Sequence, residues 1–193
     1  MRFIFFTTLF AVALSAGAAY AQDARVQAAG DDEFIRVAPD HWTFEGATTH
    51  RRFVPFGSNL VLTTKEDLDI FGARYTQERY DKILAACESL NITVLKVFLQ
   101  ISTMLPDPQV PGEVHIDPIH LDNLDNFLGL CRKHHLRAEV TLACWGGNGL
   151  GWWNEGGQYF GRKPWKQDPG IDSLDVLCRF WKALGERLKD NPT

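Results

Sequence analysis

Ile92-Thr93-Val94-Leu95-Lys96-Val97-Phe98-Leu99, "ITVLKVFL", is a nearly continuous apolar run of strand length. Successive apolar positions give a strand apolar side chains on both faces, the pattern of a strand covered on both sides. The chain around it supplies the helices to do the covering. Upstream, Thr76 caps a helix whose apolar positions Tyr80, Ile83, Leu84 and Cys87 follow helical spacing. Downstream, Asp117-Pro118 offers an N-cap with proline at the first helical position, and Leu121, Leu124, Leu128 and Cys131 make the buried stripe of a helix ending near His134. "LRAEVTLAC" then reads as a further strand. After a long loop rich in Gly and Trp, Ser173 opens a third helix with Leu174, Leu177, Trp181, Leu184 and Leu188 on one face.

Toward the N-terminus, "FIRVA", "HWTFEG" and "RRFVPFGSNL" are short, aromatic and β-branched, broken by turn residues such as Gly46. They read as a small hairpin leading into a strand over 54–60. Three strand-helix units in succession mean parallel strands with helices over them, in an open doubly wound sheet or a closed (β/α)8 TIM barrel. "GSNLVLTTKED", after the first of these strands, has neither G-x-G-x-x-G nor a Lys-Ser/Thr ending, which counts against a nucleotide-binding sheet. The long aromatic loops follow strand ends, where such barrels place their chemistry. The expected fold is therefore α/β, a (β/α)8 TIM barrel. Three units do not close one, since about 250 residues are typical, and the chain stops at "KDNPT" where a fourth strand is due. The expectation is the N-terminal part of a larger enzyme: 34–193 as the barrel portion, truncated before strand four.

Residues 1–21, "MRFIFFTTLFAVALSAGAAYA", begin with one basic residue, run through an apolar core and end in Ala19-Tyr20-Ala21. That is a secretory signal with cleavage before Gln22, followed by a polar leader over 22–33. The expected location is outside the cytoplasm, secreted or periplasmic, with no membrane attachment after cleavage. The whole chain carries a formal charge of −4, and loss of Arg2 makes it −5 (−4 − 1). An acidic balance gives no support for a nucleic-acid partner. Six Trp and thirteen Phe make the chain rich in aromatics. Of its four cysteines, Cys87, Cys131 and Cys178 fall on helix stripes and Cys144 ends a strand, so buried free thiols are expected. No cysteine or histidine spacing resembles a metal site, and no cofactor is expected.

"FVPFGSNL", "LNITVLKVFL" and "HLRAEVTLACWGGNGLGWWNEGGQYFGRKPW" resemble, in order, the first three barrel strands of the cellulase-like glycosidases, glycoside hydrolase family 5. The third segment is most similar to the endo-β-mannanase branch. "FWKALGERLKDNPT" resembles the helix and turn that lead into the fourth strand of that family. The resemblance implies a retaining endo-β-glycanase, mannanase-like or cellulase-like, that hydrolyses O-glycosidic bonds in β-linked polysaccharide or oligosaccharide. Such chemistry needs two carboxyls: one protonates the leaving oxygen and the other attacks the anomeric carbon from about 5 Å away. In the family the acid/base ends strand four after an Asn and the nucleophile ends strand seven, so both are expected beyond Thr193 and these residues by themselves are expected to be inactive.

Asn154-Glu155 in "GWWNEGG" looks like the Asn-Glu of such a site. It follows Gly-Leu-Gly-Trp-Trp rather than an apolar strand and precedes two glycines, so it lacks the rigid strand end that would aim a general acid. Glu155 reads as a loop carboxylate in contact with solvent or sugar. Trp145, Trp152, Trp153, Tyr159 and Trp165 crowd the same loop, and flat rings there present large contact areas to sugar faces at low entropy cost. Asn148, Asn154 and Gln158 are candidates for hydrogen bonds to hydroxyls, and some of the rings would instead fill the barrel rim. Asn59, ending the first strand, is expected to support the site floor. Lys96 stands where the resemblance expects an Arg whose planar fork braces the nucleophile, and a lysine keeps the charge without the fork. That departure keeps a second reading open, a carbohydrate-binding protein or pseudoenzyme on the same barrel. His134 and His135 read as charges at a helix C-terminus.

Overall fold

The computed structural model describes residues 32–60, 69–106, 110–142, 164–165 and 168–193. The signal segment, the leader up to residue 31 and residues 143–163 lie outside these. The chain divides into two compact units, 1–54 and 55–193.

In the first unit three short strands, β1 (Ile35–Val37), β2 (Phe44–Gly46) and β3 (Arg52–Phe53), form an antiparallel meander in the order β1-β2-β3. The turn between β1 and β2 is built by Asp40, whose carboxylate accepts from the Trp42 and Thr43 amides at 2.9 and 3.0 Å and from the Thr43 hydroxyl at 2.8 Å. A carboxylate that accepts its neighbours' N–H groups makes a turn without help from the rest of the chain. The Trp42 and Thr43 hydrogen bonds hold its carboxyl below the usual range. Glu33, the last residue of the polar leader, is buried and organises the β2–β3 turn by accepting from the Thr48 and Thr49 amides, both at 2.9 Å. A Cβ on Gly46 would run into the Glu33 carboxylate, which is why glycine stands there. The sequence reading expected a hairpin here; Arg52 and Phe53 instead pair with Glu45 and Phe44, giving a third strand.

The second unit is mixed α/β with parallel βαβ units. It runs β4 (Gly57–Asn59), α1 (Gln77–Ser89), β5 (Val94–Leu99), a single turn α2 (Ile101–Met104), α3 (Pro118–Lys133), β6 (Arg137–Leu142), a small antiparallel pair β7 (Pro164–Trp165) and β8 (Asp168–Asp172), and α4 (Ser173–Leu188). β4, β5 and β6 lie side by side in that order, all parallel. No closed barrel is formed among the described residues. β4, three residues long, is shorter than the strand expected over 54–60. The pair β7–β8 falls within what the sequence reading treated as loop.

Local sequence fixes both ends of α1 and α3. Thr76 and Asp117 are the N-caps, Asp117 accepting from the Ile119 amide at 3.0 Å with Pro118 in the first turn. Each helix closes with a residue in the left-handed region, Asn91 (φ 56°) and His135 (φ 58°). Behind these, Ile92 and Leu136 donate back to the carbonyls of Cys87 and Cys131 at 3.1 and 2.9 Å, the Schellman arrangement that satisfies otherwise orphaned carbonyls.

One apolar cluster joins these elements. Leu95, Val97 and Leu99 of β5 are buried with Tyr80 and Leu84 of α1, Leu124, Phe127, Leu128 and Cys131 of α3, and Val176, Leu177, Phe180 and Leu184 of α4. Ala138 and Val140 of β6 pack against it. Phe127 meets Phe71 and Tyr80 edge-on at 5.5 and 5.7 Å between ring centres.

Three expectations are corrected. Among the described residues β5 is fully buried on one face alone: Val94, Lys96 and Phe98 are half-buried on the side away from the core. Strand alternation is the reason, since parallel pairing sets Lys96 opposite Glu139 and Phe98 opposite Thr141, giving a polar second face. On α4 the buried stripe is turned away from Trp181, which is 38% exposed, and carries Val176 and Phe180 instead. Cys178, expected on that stripe, is consequently exposed, while Cys131 is buried and Cys87 half-buried, all three as free thiols. Burial pushes the Cys87 and Cys131 thiols up, the mark of inert core sulfur.

Candidate functional site

On the polar face of the sheet, Asn59, Lys96 and Glu139 stand in one row across three neighbouring strands, because β4–β5 pairing sets Asn59 beside Lys96 and β5–β6 pairing sets Lys96 beside Glu139. With Gly57, Ser58 and Val94 they line a cavity of about 200 Å³. Gly57 is required for the close strand approach: a Cβ there would lie 2.8 Å from the Val94 carbonyl oxygen. The register is locked by Leu60, whose amide donates to the Lys96 carbonyl at 2.8 Å. A second tie runs from the Phe56 amide to the Thr93 hydroxyl at 2.8 Å.

Lys96 Nζ donates to Glu139 Oε1 at 2.6 Å, the side chains being 35% and 56% exposed. The ammonium also lies 6.0 Å from the centre of the Phe98 ring, two residues along the same face. A charge pair, an amide and an aromatic ring on one face are the groups that bind polyhydroxylated ligands: the polar groups reach hydroxyls and the ring covers C–H surface.

The structure brings together Asn59 and Lys96 of the residues singled out in the sequence. Lys96 is the third of the six residues of β5, in mid-strand rather than at its end. Trp145, Asn148, Trp152, Trp153, Asn154, Glu155 and Tyr159 lie outside the described residues. Trp165 is in β7, paired with Asp168 of β8. Glu139 was missed by the sequence reading. The signal for it was present in "RAEVTL", where Ala138 and Val140 alternate with Arg137, Glu139 and Thr141, but only the pairing register shows that Glu139 meets Lys96.

Two histidines are held more tightly than surface charges at helix ends would be. His120, in the first turn of α3, sets Nδ1 2.7 Å from Asp117 Oδ2 and Nε2 2.9 Å from Asp69 Oδ1. His134, the C-cap of α3, sets Nε2 2.7 Å from Asp81 Oδ1 and Nδ1 2.9 Å from Glu88 Oε2 on α1. Burial works against each cation, yet the facing carboxylates prevail and raise both histidines above their ordinary value, Asp69 ahead of Asp117 at His120 and Glu88 ahead of Asp81 at His134. Among the described residues no group of side chains is arranged to hold a metal ion, and no helix is long and apolar enough to cross a membrane.

No protein-family profile matches the chain, and no curated protein matches it by sequence. Among solved structures, the exo-beta-1,4-mannosidase Op5Man5 from Opitutaceae bacterium strain TAV5 has a similar fold, with a TM-score of 0.54 at 19% identity over 76% of this chain and 24% of that enzyme. The chain thus spans about a quarter of the length of that enzyme. At this level of identity the likeness is one of fold.

Proposed function

We propose that these residues are the opening part of an exported glycoside hydrolase of the family 5 type, a (β/α)8 barrel enzyme that acts on β-linked polysaccharide, mannan or glucan. The observation that carries the reading is the fold likeness to an exo-beta-1,4-mannosidase over three quarters of the chain. The sequential order β4-β5-β6, with one apolar cluster uniting a single face of β5 with α1, α3 and α4, supports it, since this is how a singly wound barrel is assembled. In this reading the cavity around Lys96 belongs to the floor of the sugar cleft, and the tryptophans of the sequence 145–165 are candidate sugar-contacting rings.

Glu139 is the one carboxylate lining the described cavity. Retaining hydrolysis takes two, about 5 Å apart. The reading therefore assigns the present residues to binding and leaves the acid/base and the nucleophile to positions after Thr193. A second reading, a carbohydrate binder without catalysis, is favoured by Lys96 standing in place of arginine with Glu139 already engaging it.

Calorimetric titration of the chain with manno- and cello-oligosaccharides tests the shared core of both readings. Binding is expected, and Trp145→Ala is expected to weaken it about tenfold, the loss of one stacking ring. Absence of binding to every β-linked oligosaccharide would overturn the assignment. Release of reducing ends from mannan or glucan by the product of the whole reading frame separates enzyme from binder.

A further inference from the structure

We propose that Glu139 sets the charge selectivity of the cavity, making it a site for neutral hexose units and turning away sugars that bear a carboxylate. The inference rests on the reading of this cavity as a sugar site and names the residue that decides which sugars it takes.

Three observations carry it. First, Lys96 is the cation among the cavity's lining residues. A lysine facing a half-open cavity without a partner is a point charge that draws anionic groups. A uronate carboxylate is the anion that a β-linked polysaccharide most simply offers. Second, Glu139 Oε1 occupies Lys96 Nζ at 2.6 Å. The pair is formally neutral, and a ligand carboxylate reaching for the ammonium would face a like charge on Glu139, a juxtaposition that discriminates against wrong ligands. Third, the contact leaves hydrogen-bonding capacity of both kinds. The ammonium has three donors and gives one to Glu139; the carboxylate has a second oxygen free of this contact. Donor beside acceptor is the complement of two adjacent hydroxyls, each of which gives and accepts. Asn59, in register with Lys96 on its other side, carries an amide with the same dual character. Arg137, two residues before Glu139, is not among the residues that line the cavity, and its guanidinium donates to the Pro192 carbonyl.

Strand geometry makes the arrangement specific. Glu139 meets Lys96 because parallel pairing sets those two residues side by side on one face; a shift of one residue would present Ala138 or Val140 there. The glutamate is also more exposed than the lysine it holds, so its exchange for an isosteric amide removes a charge without opening the core.

The test compares affinities for a neutral β-1,4-linked disaccharide and for the same disaccharide carrying a hexuronate, in the full chain and in two variants. In Glu139→Gln the ratio of uronate to neutral affinity is expected to rise about tenfold or more at low salt. Adding Lys96→Met to that variant is expected to cancel the rise, which assigns it to the released ammonium. An unchanged ratio in Glu139→Gln, with the wild-type chain binding the neutral disaccharide, overturns the inference and leaves the glycoside reading standing. Failure of the wild-type chain to bind either sugar removes both together. Salt gives a second measure that needs no variant. Neutral-sugar affinity of the wild-type chain is expected to stay level from about 20 to about 500 mM salt, a span that screens exposed charges almost fully. A steep loss over that span would show recognition through net charge and would likewise overturn the proposal.

Discussion

His135 holds a backbone conformation that few side chains tolerate. Its φ of 58° is that of Asn91 at the matching end of α1, but asparagine visits the left-handed region readily and histidine does so at greater cost. Glycine removes the Cβ clash and in exchange loosens the unfolded chain, a smaller effect. His135→Gly is expected to stabilise the protein by about 0.5 to 1 kcal/mol, read as a higher urea midpoint, whereas Asn91→Gly should gain less. A midpoint lowered by His135→Gly would mean that the 3.9 Å contact of His135 with Glu88 outweighs backbone strain. What single residues do was unevenly legible in the sequence. Thr76 and Asp117 announced themselves as caps because a cap is a local device, satisfied within three residues of itself. Glu139 did not, because its partner is 43 residues away, as the hydrogen bond to Lys96 shows, and only register brings them together.

α3 is fastened at two points by imidazoles whose two nitrogens both face carboxylates: His120 between Asp117 and Asp69, which precedes α1, and His134 between Asp81 and Glu88 of α1. A neutral imidazole has one donor, so satisfying both carboxylates takes the cation. Lys133 shares Asp81 with His134 at 2.7 Å and keeps that carboxylate ionised. Both histidines titrate higher in the folded chain than in the unfolded one, where about 6.5 is expected. Their contribution is therefore complete below about pH 6.5 and is lost as pH rises through the folded values. The melting temperature is expected to fall as pH is raised from about 6 into the alkaline range, and His120→Gln with His134→Gln is expected to flatten that fall. A melting temperature that rises over the same range would contradict the assignment of two imidazolium clamps. At this scale the long helices were legible and the strands less so. Helix stripes repeat every three to four residues and carry their own caps. β3 and β7 are each two residues long, too short for any alternation to register, and on α4 the pattern could not separate Phe180, which is buried, from the adjacent and equally apolar Trp181, which is not.

Across the second unit, β5 is the strand paired on both sides, to β4 and to β6, and three of its side chains are fully buried. Its amides are expected to exchange with solvent more slowly than those of β4 and the Arg137–Leu142 strand, as read by hydrogen-exchange mass spectrometry, because their opening needs the sheet to separate. Faster exchange in β5 than in β4 would mean that the parallel sheet is not the stable element. The parallel order itself was legible from helices alternating with apolar strands, while the polar second face was not, because an apolar run such as "ITVLKVFL" hides one lysine among seven other residues. The sequence-distant pairing has a kinetic meaning as well. Gly57 pairs with Val94 and Val94 with Arg137, so neither parallel contact can close until a helix has gathered the intervening chain. α1 and α3, each capped by its own neighbours, can form before any strand meets another. Refolding should thus begin with those helices docking their aromatic faces, Tyr80 against Phe127, and the sheet should assemble on that platform afterwards: the element that names the architecture is the last to arrive.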